Sequence, residues 1–259
     1  MSLLINGGGI EGMEYVDRSY RRRFRGDRWK YFVARYKESD LCIGVDRLSW
    51  REGIPVYAEQ FVRRLRGEMD AWIAGHPEYE RSLVPCEADD APMIFQQMSA
   101  VARVSGIGPM SAVAGAVAQK VGKALLREFG VREVVVENGG DIYASICEDV
   151  DVSVFAGKSP LSEKVGLHIE AGESPLGICT SSGTVGPSLS FGKADAVMIV
   201  CRDALLADTY ATAFANRIQT VEDVPGCIEA ISKQEDILAA IAIKDDKMGV
   251  CGRFELRLF

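Results

Sequence analysis

The sequence predicts an α+β fold in which mainly antiparallel sheets pack with long helices. Segments rich in β-branched residues follow one another across short polar turns, and long helical stretches interrupt these runs. A chain of 259 residues, 47% of them hydrophobic, is long enough to bury a sizeable core. We therefore expect one domain over residues 1–259, with 1–27 as an N-terminal segment left without an assigned order.

The first half of the chain is predicted to open with a hairpin and to continue in helices. Pro109 suits the first turn of a helix, Gly130 suits the end of that same helix, and Gly106 suits the end of the helix before it. The predicted strands are 29–36 and 41–45, and the predicted helices are 54–73, 91–103 and 110–129.

The second half of the chain is predicted to return to strands, with two further helices. The segments 112–119 and 207–214 are both predicted helical stretches of small residues near strand ends. An internally duplicated strand–helix unit is one interpretation of this similarity. The predicted strands are 131–137, 142–146, 151–155, 165–169, 177–180, 194–200 and the segment 237–259, and the predicted helices are 206–218 and 225–233.

Charge and cysteine content narrow the class of partner. A net charge of -7 argues against nucleic acid held by a basic surface, and we interpret the one basic run, 21–25, as a surface or edge strand. Seven cysteines without a CxxC pair argue against a disulfide scaffold or zinc knuckle. With no signal-peptide pattern and no transmembrane stretch, we expect a cytoplasmic protein without a membrane partner. A homodimer is left open.

Asp208 and Thr212 are four residues apart on a predicted helix, so their side chains share one face. A carboxylate and a hydroxyl placed in this way can share Mg²⁺, which prefers oxygen ligands. The alternative is structural: Asp208 would favour the positive N-terminus of its own helix, and Thr212 would bond its own turn.

The segment 179–192 is the densest cluster of small hydroxyl and glycine residues in the chain. Such a loop offers backbone amides and hydroxyls to a phosphate group, with Lys193 as a nearby cation. A surface loop without function is the alternative. The candidate cofactor-binding residues here are Thr180, Ser181, Ser182, Gly183 and Lys193.

The turn Asn138-Gly139-Gly140-Asp141 joins two apolar segments, so hairpin geometry alone explains it. In a functional interpretation, Gly139 and Gly140 admit a flat ring or a ribityl chain, and Asp141 binds a hydroxyl. Cys179 offers a separate chemistry, because a thiol beside exposed amides can have a lowered pKa, although most lone cysteines are small buried hydrophobic residues.

Taken in order, segments 112–118, 138–142, 180–183 and 207–212 resemble the landmark motifs of the ApbE-like superfamily, whose best-known members are magnesium-dependent flavin transferases. The resemblance implies a fold of paired antiparallel sheets and helices, FAD as flavin donor, and transfer of FMN to a protein threonine. It also implies Asp208 as the catalytic residue, and Mg²⁺ ligands at Asp208, Thr212 and the Ala114 carbonyl. The transferases carry a lysine-glycine pair after the metal-binding alanine, whereas this chain continues Gly115-Ala116-Val117. This difference indicates a divergent branch.

The sequence therefore leaves three alternative functions open. In the first, a Mg²⁺-dependent cleft binds a flavin-like nucleotide or another small anion for phosphoryl or nucleotidyl transfer. In the second, Cys179 acts in a small-molecule or sulfur-metabolism enzyme. In the third, the chain is a non-catalytic ligand-binding or assembly protein that kept the fold.

Overall fold

The computed structural model describes residues 28–185 and 190–259. Within these ranges the helices are α1 (Ile54–Gly75), α2 (Pro77–Arg81), α3 (Met93–Ser105), α4 (Val113–Phe129), α5 (Ala204–Ala215) and α6 (Asp223–Ser232). The strands are β1 (Trp29–Tyr36), β2 (Ser39–Asp46), β3 (Val134–Asn138), β4 (Asp141–Ser145), β5 (Val150–Ser153), β6 (Val165–Ile169), β7 (Leu176–Ser181), β8 (Ala196–Cys201), β9 (Ile237–Lys244), β10 (Lys247–Gly252) and β11 (Glu255–Leu258).

Two antiparallel sheets carry the strands. The larger one has eight strands in the order β1-β2-β3-β4-β7-β8-β9-β10, and the smaller one has three in the order β11-β6-β5. All the strand pairs of the described residues are antiparallel. The prediction of an α+β fold with mainly antiparallel sheets is therefore confirmed.

The eight-stranded sheet lies between the helices and the three-stranded sheet. Successive side chains of a strand point to opposite faces, so each central strand contributes to two cores. On β7, Cys179 faces the helical core while Ile178 faces the smaller sheet, and on β8 Ile199 and Val200 divide in the same way. Helix α4 packs on β4, and α5 packs on β7 and β8, so these central strands lie beneath the two helices.

The five predicted helices are present, and most of their ends lie one to three residues from the predicted bounds. Gly106 (φ 77°) and Gly130 (φ 60°) adopt the left-handed conformation that ends α3 and α4. Pro109 starts a 3-10 turn, Pro109–Ala112, before α4, because its ring fits a first turn but gives no N–H. Residues 77–81, predicted as loop, form the short helix α2, which begins at a proline.

Other predictions of organisation are not decided by these elements. The single domain and the duplicated unit remain predictions, although α4 and α5 do pack against each other. Residues 1–27, including the basic run, lie outside the described residues. In the described part of the chain, no single helix is long and apolar enough to cross a membrane, and a pair that passes together, α3 with residues 109–129, is bent by 106°.

Candidate functional site

Helix α5 begins at Ala204 because Asp203 caps it. The Asp203 carboxylate accepts hydrogen bonds from the backbone N–H groups of Leu205 (2.8 Å) and Leu206 (3.2 Å). Gln119 of α4 donates to the other Asp203 oxygen at 2.8 Å and accepts from the Ala204 N–H at 2.9 Å. An aspartate just before a small apolar run is an N-cap signal, so the start of α5 could be predicted from the sequence. The observed start is two residues before the predicted one.

Two glycines bring α4, α5 and β7 into close contact. A Cβ on Gly115 would lie 2.2 Å from the Ala204 carbonyl oxygen, and a Cβ on Gly177 would lie 2.3 Å from the Ala204 Cα. Neither position has room for a side chain. The approach places the first turn of α4 against the second turn of α5, where Asp208 lies.

Asp208 is 6% exposed and binds the N-terminus of a neighbouring helix. Its carboxylate accepts from the Gly115 N–H at 2.8 Å and from the Ala114 N–H. The structural alternative assigned Asp208 to its own helix N-terminus; instead, Asp203 caps α5 and Asp208 binds the positive end of α4. Burial raises the pKa of Asp208 to about 7, and the backbone N–H bonds oppose that shift.

Asp141 is the second buried carboxyl group of the site, at 9% exposure. It begins β4 and pairs with Cys179 on β7. Burial raises its pKa well above the ordinary value, and the neighbouring Asp208 charge raises it further. No lysine, arginine or histidine of ranges 28–185 and 190–259 forms an ion pair with either carboxylate. When ionised, the pair therefore has no ion-pair partner among the described side chains.

The Asn-Gly-Gly-Asp turn is the hairpin connection between β3 and β4. Gly139 (φ 70°) and Gly140 (φ 109°) form a two-residue turn that a side chain would strain. Asn138, at the end of β3, donates from Nδ2 to the Ala114 carbonyl oxygen at 3.2 Å. The hairpin interpretation is thus correct for the backbone, and the same turn also carries Asp141 and Asn138 to the first turn of α4.

Thr212 connects α5 to the end of β7. Its Oγ1 donates to the Ser181 Oγ at 3.4 Å, a long hydrogen bond. The alternative in which Thr212 bonds its own turn gives way to this contact between elements. Asp208, Asp141, Ala114, Thr212 and Ser181 are therefore brought together by α4, α5, β4 and β7.

The family model described as "AbpE bacteria" matches residues 21–240, most of the chain. The chain belongs to this family. Among its relatives, a UPF0280 protein of Methanocella arvoryzae is 39% identical, with 74% of this chain and 78% of the relative covered. A UPF0280 protein of Methanocaldococcus jannaschii is 32% identical, with 84% and 88% covered.

Solved structures of flavin transferases share the fold of this AbpE-family chain. The apo flavinyl transferase ApbE of Pseudomonas stutzeri has a TM-score of 0.53 at 12% identity, with 86% of this chain and 93% of that chain covered. The flavin transferase ApbE of Vibrio cholerae has a TM-score of 0.50 at 12% identity, with 86% and 96% covered. At these identities the likeness is one of fold alone.

The hydroxyl-rich loop of the AbpE-family chain uses much of its polarity internally. The Ser182 Oγ accepts from the N–H groups of Thr184 (3.1 Å) and Val185 (3.0 Å) and donates to the Ala194 carbonyl at 3.4 Å. Residues 186–189 of this loop lie outside the described residues. The phosphate role of this loop stays a prediction, and Ser181 at its start contacts α5 through Thr212.

The other predicted cofactor-binding residues of this loop are Thr180, Gly183 and Lys193. Thr180 is half-buried on β7, and Gly183 packs so closely that a Cβ would lie 2.1 Å from the Gly192 carbonyl oxygen. Lys193 is exposed, and its backbone N–H donates to the Ile218 carbonyl at 2.7 Å. In the described part of the chain, neither Ser182 nor Lys193 hydrogen-bonds to Asp208.

Cys179 is a buried residue of β7, at 0% exposure, and its thiol donates to the Ala204 carbonyl oxygen at 3.5 Å. Burial raises its pKa well above the ordinary value, and the nearby charges of Asp141 and Asp208 raise it further. A reactive cysteine needs the opposite environment. The buried position of Cys179 in the helical core and its raised pKa therefore argue against a nucleophilic role.

The donor set at the site suits a hard cation. Among the described residues there is no cluster of three His, Cys, Asp or Glu side chains that could hold a metal ion. Two carboxylates, the Thr212 hydroxyl and the Ala114 carbonyl are all oxygen donors, which Mg²⁺ accepts, with water or phosphate completing its coordination. A divalent cation would balance the buried negative charge of Asp141 and Asp208, so the residues present fit Mg²⁺.

Proposed function

We propose that this protein binds Mg²⁺ at Asp208, Thr212 and the Ala114 carbonyl and there holds the phosphates of a flavin-like nucleotide. The buried Asp141–Asp208 pair carries the proposal, because it lacks a basic partner among the described residues and lies beside further oxygen donors. Burying an unbalanced carboxylate costs free energy unless a cation or a proton compensates it. A bound metal ion supplies that compensation.

The proposed reaction is nucleotidyl transfer, with FMN moving from FAD to a threonine hydroxyl and AMP leaving. When bound, Mg²⁺ would neutralise charge that develops on the phosphate oxygens. The protein contributes orientation. The Gly115 N–H fixes the rotamer of Asp208, and Asn138 fixes the Ala114 carbonyl on the first turn of α4. Asp208 is the proposed catalytic residue, since it would contact the metal and through it the reacting phosphate.

Support for a flavin-like ligand comes from the fold shared with flavin transferases and from the turn beside the site. Gly139 and Gly140 carry no side chain, and a Cβ on Gly140 would be 3.5 Å from the Thr180 carbonyl, so this wall of the site is backbone. A flat ring packs closely against such a surface. A nucleotide partner, a cytoplasmic location and a homodimer remain predictions.

Calorimetric titration with FAD, FMN and ADP, each with Mg²⁺ and with EDTA, tests the proposal. We expect binding with Mg²⁺ and its loss in EDTA, and loss of the Mg²⁺-dependent part in Asp208→Ala and Thr212→Val. Asp246→Ala, at an exposed position between β9 and β10, is the control and should bind as the unmodified protein does. Flat traces for all three nucleotides with Mg²⁺ would contradict the proposal.

An assay of FMN transfer distinguishes an enzyme from a protein that only binds nucleotides. If the protein transfers FMN, FAD incubated with it, Mg²⁺ and threonine-containing peptides should yield AMP and a peptide heavier by FMN. Nucleotide binding without AMP release from any peptide would instead favour the non-catalytic alternative.

A further inference from the structure

Phe191 is a large aromatic residue that the protein holds at its surface. It is 58% exposed, yet its backbone is fixed on both sides. Its N–H donates to the Asn216 Oδ1 at 2.9 Å, and its carbonyl accepts from the Gln219 Nε2 at 2.8 Å. Single exposed hydrophobic residues are common on proteins, but here two side-chain amides hold both backbone groups of the residue.

Gly192, which follows Phe191, is also tightly packed. A Cβ on Gly192 would lie 1.9 Å from the Ala215 carbonyl oxygen, so the chain at this point lies directly on the end of α5. The Ser190 hydroxyl also donates to the Asn216 Oδ1, at 3.2 Å. The ring of Phe191 is therefore presented from a backbone that is packed and hydrogen-bonded, which lowers the entropy cost of using it as a contact surface.

Asn216 relates Phe191 to the proposed metal site. Asp208, Thr212 and Asn216 follow one another at four-residue intervals, and Asn216 retains helical angles (φ -64°, ψ -19°). Their side chains form one stripe along α5, with about 12 Å of axial rise from the first to the last. The stripe runs from a carboxylate through a hydroxyl to the amide that holds the Phe191 backbone.

We propose that Phe191 is the stacking platform for the planar ring of the nucleotide whose phosphates bind at Asp208 and Thr212. The inference rests on the proposed function and adds to it the position of the ring. An extended nucleotide with phosphates at one end and a ring at the other matches a stripe of this length. Aromatic platforms accept any planar base or flavin, because every such ring has a π face.

The test compares ligands with and without a ring. Calorimetry in the presence of Mg²⁺ is carried out with FAD, ADP and inorganic pyrophosphate on the unmodified protein, Phe191→Ala and Phe191→Trp. Phe191→Ala should weaken the ring-bearing ligand that stacks by about 5- to 150-fold, the effect of losing one stack, and should leave pyrophosphate within about twofold. Phe191→Trp should retain affinity for that ligand. Phe259→Ala removes an aromatic residue of equal exposure, 58%, after β11 and should change nothing.

The outcomes separate this inference from the function beneath it. If FAD and ADP bind the unmodified protein and Phe191→Ala equally well, the platform is wrong while the metal and nucleotide site stands. If Phe191→Ala weakens pyrophosphate as much as the nucleotides, Phe191 acts on the whole site and the platform is again wrong. If neither nucleotide binds the unmodified protein, both proposals fail together.

Discussion

Replacing Asp208 by Asn should change the pH dependence of folding stability in the absence of metal. Burial raises the pKa of Asp208 from 3.8 to about 7. Below the unfolded value both states carry the proton, and no free energy is lost. Between that value and about 7 the unfolded chain releases a proton that the folded protein retains, so stability falls as the pH rises. Asn cannot ionise and lacks this loss.

The size of the effect follows from the pKa difference. A shift of roughly three units corresponds to about 4 kcal/mol at 1.36 kcal/mol per unit. Between pH 5 and pH 7 the unmodified protein should lose about 2 kcal/mol of unfolding free energy relative to Asp208→Asn. Asp141 acts in the same direction, because removing the Asp208 charge also relieves the raised pKa of Asp141. Asn keeps a carbonyl oxygen that accepts the Gly115 N–H.

Urea denaturation in EDTA at half-unit pH steps from 5 to 8 measures the difference. Asp195→Asn is the control: it removes an equally buried carboxylate, 6% exposed, that lies 3.8 Å from the Lys244 ammonium. Adding Mg²⁺ at 100 times its Kd should then stabilise the unmodified protein at pH 8 by about 2.7 kcal/mol and leave Asp208→Asn unchanged. Parallel pH profiles for the unmodified protein and Asp208→Asn in EDTA would refute the assignment of a buried, proton-binding carboxyl group.

Three further predictions concern packing and reactivity. Gly115→Ala should lower the free energy of unfolding, measured by urea denaturation, by about 1–3 kcal/mol, because the new Cβ would lie 2.2 Å from a carbonyl oxygen of α5. Gly226→Ala, in open space on α6, is the control and should be neutral or stabilising. Equal effects of the two substitutions would contradict the close packing at Gly115. Thr209→Val should cost about 1–3 kcal/mol, since its hydroxyl meets two serine hydroxyls at 2.7 Å each, and Thr209→Ser should restore most of it; a valine variant of unchanged midpoint would count against the bridge. In alkylation followed by mass spectrometry, exposed Cys147 should react first and Cys179 only on unfolding; early labelling of Cys179 would revive its reactive interpretation.

The candidate site was partly predictable because some of its geometry is local. The i, i+4 spacing of Asp208 and Thr212 places them on one helix face, whatever surrounds that helix. Gly139 and Gly140 likewise determine a tight turn that carries Asp141. The role of Asp208 was harder to predict, since the helix N-terminus it binds belongs to α4, 93 residues earlier in the chain.

The sequence by itself determined the α+β class, most of the strands and helices, and the residues of the two polar motifs, because side-chain periodicity and turn chemistry act over a few residues. Only the tertiary structure decided that Asp141 and Asp208 are buried together, that Cys179 faces the core, and that Phe191 is held against the end of α5. These facts depend on strand order and on glycine-sized contacts between distant segments. Local periodicity does not encode them, because burial and pKa depend on what packs against a residue from elsewhere in the chain.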